Sequence, residues 1–322
     1  MRGLRSFGLL ALFIGAQIVA LALALPFKTA GLATTSNPNS AANPLYLIAV
    51  VVAAPLAILW VARRSGGIAT LRVVILLGIA ASLNITLYAT LSLFTPPAVY
   101  LTPPAANQVL DLALPIASSA AVALFLALLM NPQWYVVDLA GFIAGGSLIA
   151  LLGISFGILP AFILLIALAV YDAIAVYRTK HMISLADVVV EMKLPILMVM
   201  PEAPAYDYTK KTSFRAERNI PAEEREAMFM GLGDVVFPGV LIVSAFVSLP
   251  ALGVLPGLGG NFLVAMGTLA GALVGYGFLM RLVNRGNAQA GLPLLNGGAI
   301  AGYVVSYLAL FHSYTLGLSW SF

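Results

Sequence analysis

The feature that most constrains this chain is a series of nine apolar runs, each long enough to cross a bilayer. They lie approximately at residues 7–25, 45–62, 71–94, 109–130, 136–154, 158–177, 228–249, 262–283 and 292–311. A run of about 20 apolar residues matches the hydrocarbon thickness of a membrane. A composition of 61% hydrophobic and 9% charged residues agrees with this interpretation. The sequence therefore predicts an all-α integral membrane protein with nine transmembrane helices.

The positions of the basic residues predict the orientation of these helices. Lys and Arg are retained on the cytoplasmic side of a membrane, and of the 16 basic residues only Lys28 falls in a loop on the other side. We therefore expect a cytoplasmic N-terminus and an outside C-terminus. The first run resembles a signal peptide with a cleavage site at Ala22-Leu23-Ala24, but it is longer than most such segments, and we expect it to be retained.

The chain divides into three predicted parts. Residues 1–177 hold the first six helices, residues 178–227 form a cytoplasmic loop, and residues 228–322 hold the last three helices. The net charge of +4 follows from the orientation signal, and we find no nucleic-acid patch.

The cytoplasmic loop contains three predicted features. An i, i+3, i+4, i+7 pattern of apolar residues from Leu185 to Met192 predicts an amphipathic helix, lying at the membrane interface or packed on neighbouring helices. The apolar segment Ile196–Met200 lies between two prolines and favours an extended edge strand. Residues 202–225 are expected to be mobile, with a helical first turn after Pro221 that leads into the seventh helix.

Two of the apolar runs each carry an acidic residue. Asp172 lies six residues before Arg178, the first charge after the sixth run, and Asp234 lies eight residues after Glu226, the last charge before the seventh. At about 1.5 Å per helical residue, each carboxylate is about 9 to 12 Å below the same membrane face. Helices joined by one loop run antiparallel, so the two groups can meet at one level. An ionised carboxylate in hydrocarbon is costly, and both residues are therefore candidates for function.

Paired carboxylates indicate acid–base chemistry. Two such groups held close together cannot both ionise easily, so they tend to share one proton. One can take a proton from water as it attacks an amide carbonyl, while the other donates a proton to the carbonyl oxygen. This pair predicts peptide hydrolysis without a covalent intermediate. Gly231 and Gly233 leave space beside Asp234 for a substrate or a neighbouring helix.

Other candidate chemistry is less well supported. Gly153–Gly157 matches the serine-hydrolase pattern G-x-S-x-G, with Ser155 as nucleophile and His312 as the available base, but we interpret it as a tight turn. A chain with no cysteines and two distant histidines, His181 and His312, has no zinc ligand set, and no metal or cofactor is expected. Asp111 and Asp138 fall in predicted first turns of helices, where a carboxylate favours the helix dipole.

Three short motifs, taken in order, give this chain a family resemblance. They are Tyr171-Asp172 in the sixth run, Gly231-Leu232-Gly233-Asp234 in the seventh, and Pro293-Leu294-Leu295 at the start of the ninth. With the nine-helix layout, they resemble the GxGD intramembrane aspartyl proteases of the presenilin and signal peptide peptidase family, most closely a prokaryotic, archaeal homologue. The prepilin peptidases, the other GxGD group, have fewer spans and a further glycine where this chain has Met228.

The resemblance implies roles for these residues. Asp172 and Asp234 would be the catalytic dyad. The residues that would bind substrate or support the site are Tyr171, Gly231, Leu232, Gly233, Pro293, Leu294 and Leu295, where Leu294 replaces the alanine of the family's Pro-Ala-Leu motif. The partners implied are transmembrane peptide or protein substrates in a lipid bilayer, and no obligate partner subunit is evident from the sequence. The location implied is the cell membrane of a prokaryote.

Two other functions and one mechanistic hypothesis follow from the same residues. A proton- or cation-coupled transporter would use the two aspartates as a relay, although no internal repeat is detectable. A rhomboid-like serine protease would use Ser155 and His312. For the aspartyl protease, we expect Ile196–Met200 to pair with an unwound substrate by strand addition.

Overall fold

The computed structural model describes residues 2–94, 99–100, 109–110, 112–179, 181–203, 205–210, 226–255, 258–283 and 289–318. This part of the chain is mostly helical. Its α-helices are α1 (Arg2–Thr29), α2 (Ala42–Ala62), α3 (Gly67–Phe94), α4 (Ala113–Met130), α5 (Trp134–Ser155), α6 (Ile158–Ile174), α7 (His181–Met192), α8 (Leu232–Ser248), α9 (Gly260–Val283) and α10 (Leu292–Phe311). A π-helical turn over Ala175–Thr179 continues α6, and Tyr208–Lys210 forms a 3-10 turn.

Eight helices within the described ranges are long and apolar enough to cross a membrane. They are α1 to α6, α9 and α10, with α6 extended by its π turn to Thr179. The predicted ninth run, residues 292–311, matches α10 at both ends. The predicted seventh run corresponds to α8, which has 17 residues and is shorter than the expected 228–249.

The start of the predicted seventh helix is a strand. Residues Ala227–Gly231 form β4, which pairs antiparallel with β3 (Leu197–Pro201). The prediction of helix at 228–231 was therefore wrong. Hydropathy does not distinguish a short buried strand from the first turn of a helix, and here pairing with β3 provides partners for the backbone.

The fourth predicted helix also begins later than expected. It starts at Ala113 because Val109–Leu110 forms β2, which pairs with β1 (Val99–Tyr100). A third short pair joins β5 (Gly253–Leu255) to β6 (Leu258–Gly259) before α9. The expectation of an all-α protein is thus correct for the helical framework but omits these short two-stranded sheets.

The main core lies where six helices meet. It is formed by α1, α5, α6, α8, α9 and α10, with fully buried side chains that include Phe13, Ile149, Leu165, Val240 and Tyr303. A second cluster packs around α5, α7 and β3, and includes Leu128, Val137, Met192 and Val199. Large apolar side chains such as Leu45, Tyr46 and Trp60 on α2 face outwards, as expected for a helix surrounded by lipid.

Glycines on α9 allow close contact with α10. A Cβ atom at Gly267, Gly271 or Gly275 would meet Ser306 and the backbone of Gly298, Gly302 or Leu294, whereas one at Gly277 would meet nothing within 4 Å. The first three glycines therefore serve close packing of the two helices. Gly277 lies on the other side of α9.

The helix predicted from residues 185–192 is confirmed as part of α7, and Val189 and Met192 are buried in the second cluster. Leu197–Met200 of the predicted segment Ile196–Met200 is extended, as part of the strand Leu197–Pro201, whereas Ile196 lies in a turn. The expected mobility of residues 202–225 and the turn after Pro221 fall largely on residues outside the described ranges, as does Asp111. The chain enters α8 through β4, not directly from a helical turn.

The predicted role of Asp138 needs correction, and it involves β3. Asp138 is not in the first turn of α5; its carboxylate accepts the Val199 amide hydrogen at 2.7 Å. β3 pairs with β4 on its other side. The Val199 amide is thus bonded to Asp138, and the pairing of Ile196–Met200 with an unwound substrate stays a prediction.

Candidate active site

Asp172 lies near the end of α6, one turn before the helix widens into the π turn. Its side chain is only 6% exposed. The backbone N–H of Leu292, at the start of α10, donates to its Oδ2 atom at 3.1 Å. The amide of Gly291 faces the same carboxylate. The buried carboxylate is therefore held by backbone donors of a different helix, since a polar group within a membrane needs a hydrogen-bond partner.

Asp234 is the third residue of α8. Gly231 is the N-cap of this helix, with extended backbone angles, and its amide faces the Asp234 carboxylate. An acidic residue at this position often accepts from the N-cap amide, because the first N–H groups of a helix have no partner within it. The change from strand to helix at Gly231 thus fixes Asp234 at the start of α8, where the side chain is half-buried.

The two carboxylates meet at one dipeptide. Asp172 accepts from Leu292, and a Cβ atom placed on Gly291 would lie 2.7 Å from Oδ1 and 2.9 Å from Oδ2 of Asp234. Consecutive Cα atoms are about 3.8 Å apart, so both side chains border the same short segment. They are also close enough to interact electrostatically. The structure therefore brings the two predicted residues together at the entrance of α10.

The Pro293-Leu294-Leu295 segment forms the first turn of α10. Proline is favoured there because its missing N–H would have no helical partner. Leu295 is fully buried, while Leu294 is half-buried, and its carbonyl packs against Gly275 of α9. The close approach between helices is provided by Gly275, so the larger side chain of Leu294 is accommodated.

The remaining predicted support residues surround Asp172 and Asp234. Tyr171 is half-buried next to Asp172. A Cβ on Gly233 would lie 3.2 Å from the ring of Phe237, and the Leu232 side chain packs over Gly145 of α5. These contacts place the Gly231-Leu232-Gly233 segment between the dyad and the core.

Three polar residues near the site were not predicted. Gln17 on α1 is fully buried and donates through Nε2 to the carbonyl of Val235 at 2.9 Å. Pro238 lies in the same turn of α8 and cannot donate to the carbonyl of Asp234. Asn296 is also fully buried and donates to the Leu165 carbonyl at 2.9 Å, which ties α10 to α6. A polar residue inside an apolar run is the sequence signal that could have identified Gln17 and Asn296.

The third of these residues is Tyr177, in the π turn. Its hydroxyl donates to Gln289 Oε1 at 3.0 Å and accepts the N–H of Ala290 at 3.2 Å. A π turn is wider than an α turn, so Tyr177 faces the same loop as Asp172, five residues earlier. Helical periodicity alone places these two residues on different faces, and the sequence therefore carried no signal for this contact.

Ser155 has a structural role. Its hydroxyl donates to the carbonyl of Leu151 at 2.6 Å and accepts the Thr34 amide and hydroxyl at 2.8 and 2.9 Å. α5 ends at Ser155 and α6 begins at Ile158, so the predicted tight turn is confirmed. His312 ends α10 with a left-handed backbone, and no hydrogen bond of Ser155 within the described ranges involves a histidine. The serine-protease alternative has no support in this arrangement.

The site thus combines two carboxylates with apolar helices and backbone donors. Within the described residues, no three His, Cys, Asp or Glu side chains come together as a metal site. Two carboxylates that border the same dipeptide suit acid–base catalysis with water, in which one accepts a proton as the other donates one.

Comparisons with known proteins agree with this chemistry. The family model described as signal-peptide peptidase, presenilin aspartyl protease matches residues 10–311. The chain is similar to a solved structure of a presenilin family intramembrane aspartate protease in the C222 space group, with 32% identity, a TM-score of 0.65, and coverage of 94% of this chain and 99% of that chain. A structure described in the same words for the P2 space group gives 33% identity, a TM-score of 0.61, and coverage of 94% and 97%.

A search of curated proteins gave no match. The family match covers nearly the whole chain, and both structures align over almost their full lengths. The transporter alternative receives no support from these matches. The chain therefore belongs to the signal-peptide peptidase and presenilin family and is a multi-pass intramembrane aspartyl protease.

Proposed function

We propose that Asp172 and Asp234 are the catalytic residues of this protease and that they cleave transmembrane-helix substrates by activating one water molecule. The observation that carries this proposal is the contact of both carboxylates with Gly291-Leu292. Two groups on either side of one dipeptide can reach the same substrate carbonyl. Neither needs a nucleophilic side chain or a metal ion for this chemistry.

The reaction proceeds through a tetrahedral intermediate. One carboxylate takes a proton from water as the water oxygen bonds to the amide carbon, and the other donates its proton to the carbonyl oxygen. The intermediate then collapses: the dyad donates its proton to the nitrogen, the C–N bond breaks, and one hydroxyl of the intermediate gives its proton to the other carboxylate as the carbonyl of a carboxylic acid re-forms. The site returns to one shared proton. No covalent enzyme intermediate is formed.

We propose that the surrounding backbone holds the two carboxylates of the dyad in place. The Leu292 amide orients Asp172, and the N-cap at Gly231 orients Asp234. The half-buried side chains of Tyr171, Leu232, Pro293 and Leu294 form the wall against which substrate binds, and the fully buried Leu295 supports this wall from behind. Such preorganised groups avoid a reorganisation cost during the reaction.

We also propose that α8 is a ninth membrane span, with the N-terminus in the cytoplasm and the C-terminus outside. At 17 residues, α8 is about 25 Å long, compared with a hydrocarbon core of about 30 Å. If the C-terminal end of α8 lies at the outer surface, its first residues lie below the cytoplasmic surface. This arrangement gives Asp234 a position within the membrane, close to water entering from the cytoplasm.

The remaining parts of the chain fit this proposal. Residues 1–177 and 228–322 provide one dyad residue each, and residues 178–227 join them on the cytoplasmic side. The packing of Leu9, Phe13 and Gln17 of α1 into the core supports retention of the first helix. We propose that the protein acts in a prokaryotic cell membrane on transmembrane peptides or proteins, without a partner subunit or cofactor.

The test is cleavage of a labelled transmembrane peptide by the purified protein in liposomes, with no ion gradient. We expect D172N and D234N each to reduce the cleavage rate to background, because a neutral amide can neither accept the proton from water nor share one. D207N is the matched control, since Asp207 lies outside the membrane spans and is expected to leave the rate unchanged. Normal cleavage by either dyad variant would refute the proposal.

A further inference from the structure

A third carboxylate is buried among the helices, apart from the proposed dyad. Asp138 on α5 is 5% exposed. Its Oδ1 atom accepts the Val199 amide hydrogen at 2.7 Å, and its Oδ2 atom has no hydrogen-bond partner within the described ranges. A carboxylate inside a membrane-spanning helix is costly and is therefore expected to have a role. The reaction proposed above does not use it.

The hydrogen bond from the Val199 amide to Asp138 lies on the edge of β3 that faces α5. The Leu232 amide donates to the Ile196 carbonyl at 2.8 Å, and the Glu202 amide donates to the Glu226 carbonyl at 2.8 Å. The backbone groups of residues 196 and 202 therefore point towards β4. Because backbone direction alternates along a strand, the Val199 amide points away from β4, towards α5. Asp138 provides the acceptor that this amide needs.

Two further contacts on the same face of α5 continue this attachment. Gly141 leaves space for the Pro195 carbonyl, which would lie 3.1 Å from a Cβ, and Gly145 leaves space for the Leu232 side chain, at 2.9 Å from a Cβ. Positions 138, 141 and 145 follow an i, i+3, i+7 pattern and share one face of the helix. α5 thus contacts the segment before β3, the strand itself and the first residue of α8.

These contacts lead directly to Asp234. Leu232 begins α8, is bonded to Ile196 just before β3, and lies two residues before Asp234. We propose that Asp138 is a positioning residue of the protease: its carboxylate holds β3 against α5 and thereby sets the start of α8 and the location of Asp234. This inference rests on the proposed function, because it assigns the positioned group to the dyad.

The proposed role requires a hydrogen-bond acceptor and not an exchangeable proton. Asparagine retains an acceptor oxygen at the same position, whereas alanine has none. D138N should therefore keep the attachment that D138A loses. A residue that carried protons to the dyad would be inactivated equally by both changes, because neither asparagine nor alanine titrates. V199P gives an independent test, since it removes the donor from the side of β3 that faces away from β4.

The experiment compares D138A, D138N and V199P with S147A and D172N. Ser147 is the matched control because it is also fully buried on α5 and its hydroxyl bonds within the helix, to the Ile143 carbonyl at 2.6 Å. For each variant, kcat and KM are measured with a labelled transmembrane peptide in liposomes. Hydrogen–deuterium exchange is measured over residues 196–201 and 226–236.

We expect D138A and V199P to lower kcat by about tenfold to a hundredfold, since a misplacement of about 1 Å can have this effect. KM should change by no more than about twofold, and exchange in both segments should accelerate. D138N should retain roughly half of the wild-type kcat, and S147A should behave as wild type. A variant remains folded if its KM is close to that of the wild type and its exchange is faster only in these two segments.

Wild-type kcat in D138A and V199P would overturn the inference. A folded D138N that is as inactive as D138A would also overturn it, because charge or proton transfer would then matter and not the acceptor. D172N separates this failure from failure of the proposed function. If D172N is inactive and D138A is fully active, only the role of Asp138 is wrong; if D172N cleaves normally, the dyad assignment itself is wrong.

Discussion

The backbone amide of Leu292 donates to the carboxylate of Asp172 at 3.1 Å, which joins the entrance of α10 to the end of α6. The residue before it, Gly291, has its Cα next to the carboxylate of Asp234 on α8. Three helices therefore meet at the site, although only two contribute carboxylates. α10 acts through its backbone, and changes at its entrance should affect activity without removing an acidic group.

Gly291→Ala is expected to lower activity severely. Gly291 has right-handed helical backbone angles that alanine adopts readily. The expected effect of the substitution therefore comes from the volume of the added methyl group and not from backbone strain. The added Cβ would lie 2.7 Å from Oδ1 of Asp234 and would displace that carboxylate. We expect a decrease in kcat of about a hundredfold, measured with a labelled transmembrane peptide in liposomes.

The control for this change is Gly297→Ala, further along the same helix. A Cβ at Gly297 would meet nothing within 4 Å, and the residue is exposed. Its kcat should match the wild type. Equal activity of the Gly291 and Gly297 variants would show that Asp234 does not need the space at Gly291.

Tyr177→Phe is expected to lower kcat by about twofold to tenfold. The change removes the hydroxyl that bonds to Gln289 and Ala290 just before Leu292, and a hydrogen bond of this kind is worth about 0.5 to 1.5 kcal/mol. KM should change little because the ring is retained. Tyr314→Phe is the control, since that side chain is 94% exposed. If the two variants have the same kcat, the Tyr177 contact does not orient the loop.

Much of this architecture follows from the sequence. Hydropathy alone located α10 at residues 292–311, and depth below the charged loop placed Asp172 and Asp234 at one level. These predictions succeed because apolar runs and buried charges report directly on the membrane. The prolines around Ile196–Met200 likewise indicated an extended segment, which is β3.

Other parts of the site depend on contacts between distant residues. β4 was missed because Ala227–Gly231 is as apolar as the helix that follows it. The predicted strand β3 could have indicated that a second strand lies nearby, since a strand needs a partner for its backbone. The roles of Gly291 and of the Leu292 amide could not be predicted from the sequence. A backbone N–H donor does not depend on the type of residue, so no sequence pattern identifies it. Asp138 was interpreted as a helix-end residue, and its partner Val199 lies 61 positions away.

Gly271→Ala is expected to destabilise the fold. A Cβ at Gly271 would lie 2.8 Å from the Cα of Gly302 on α10, so the two helices would have to separate. Overpacking of this kind costs about 1 to 3 kcal/mol, and the midpoint of thermal unfolding in detergent should fall. Gly277→Ala provides the control because it faces open space. Equal midpoints for both variants would contradict the proposed packing of α9 on α10.

Asp207, between β3 and β4, should titrate at an unusually low pH. Hydrogen bonds from Thr209 in particular, and from Gln133 and Lys210, lower the pKa of its carboxyl from 3.8 to about 2. Because the folded-state pKa is depressed, the local stabilisation is present above pH 3.8 and is lost as the pH falls through about 2. Thr209→Ala should raise the midpoint, measured by NMR of the labelled carboxyl. A midpoint that Thr209→Ala leaves unchanged would contradict this cause.

The central claim is that Asp172 and Asp234 act together on one water molecule. The most direct measurement is an experimental structure with a non-cleavable transmembrane peptide whose hydroxyl group mimics the tetrahedral intermediate. We predict that oxygens of both carboxylates lie within about 2.5 to 3.2 Å of that single hydroxyl oxygen. A bound peptide whose hydroxyl is within this distance of only one carboxylate would contradict the account.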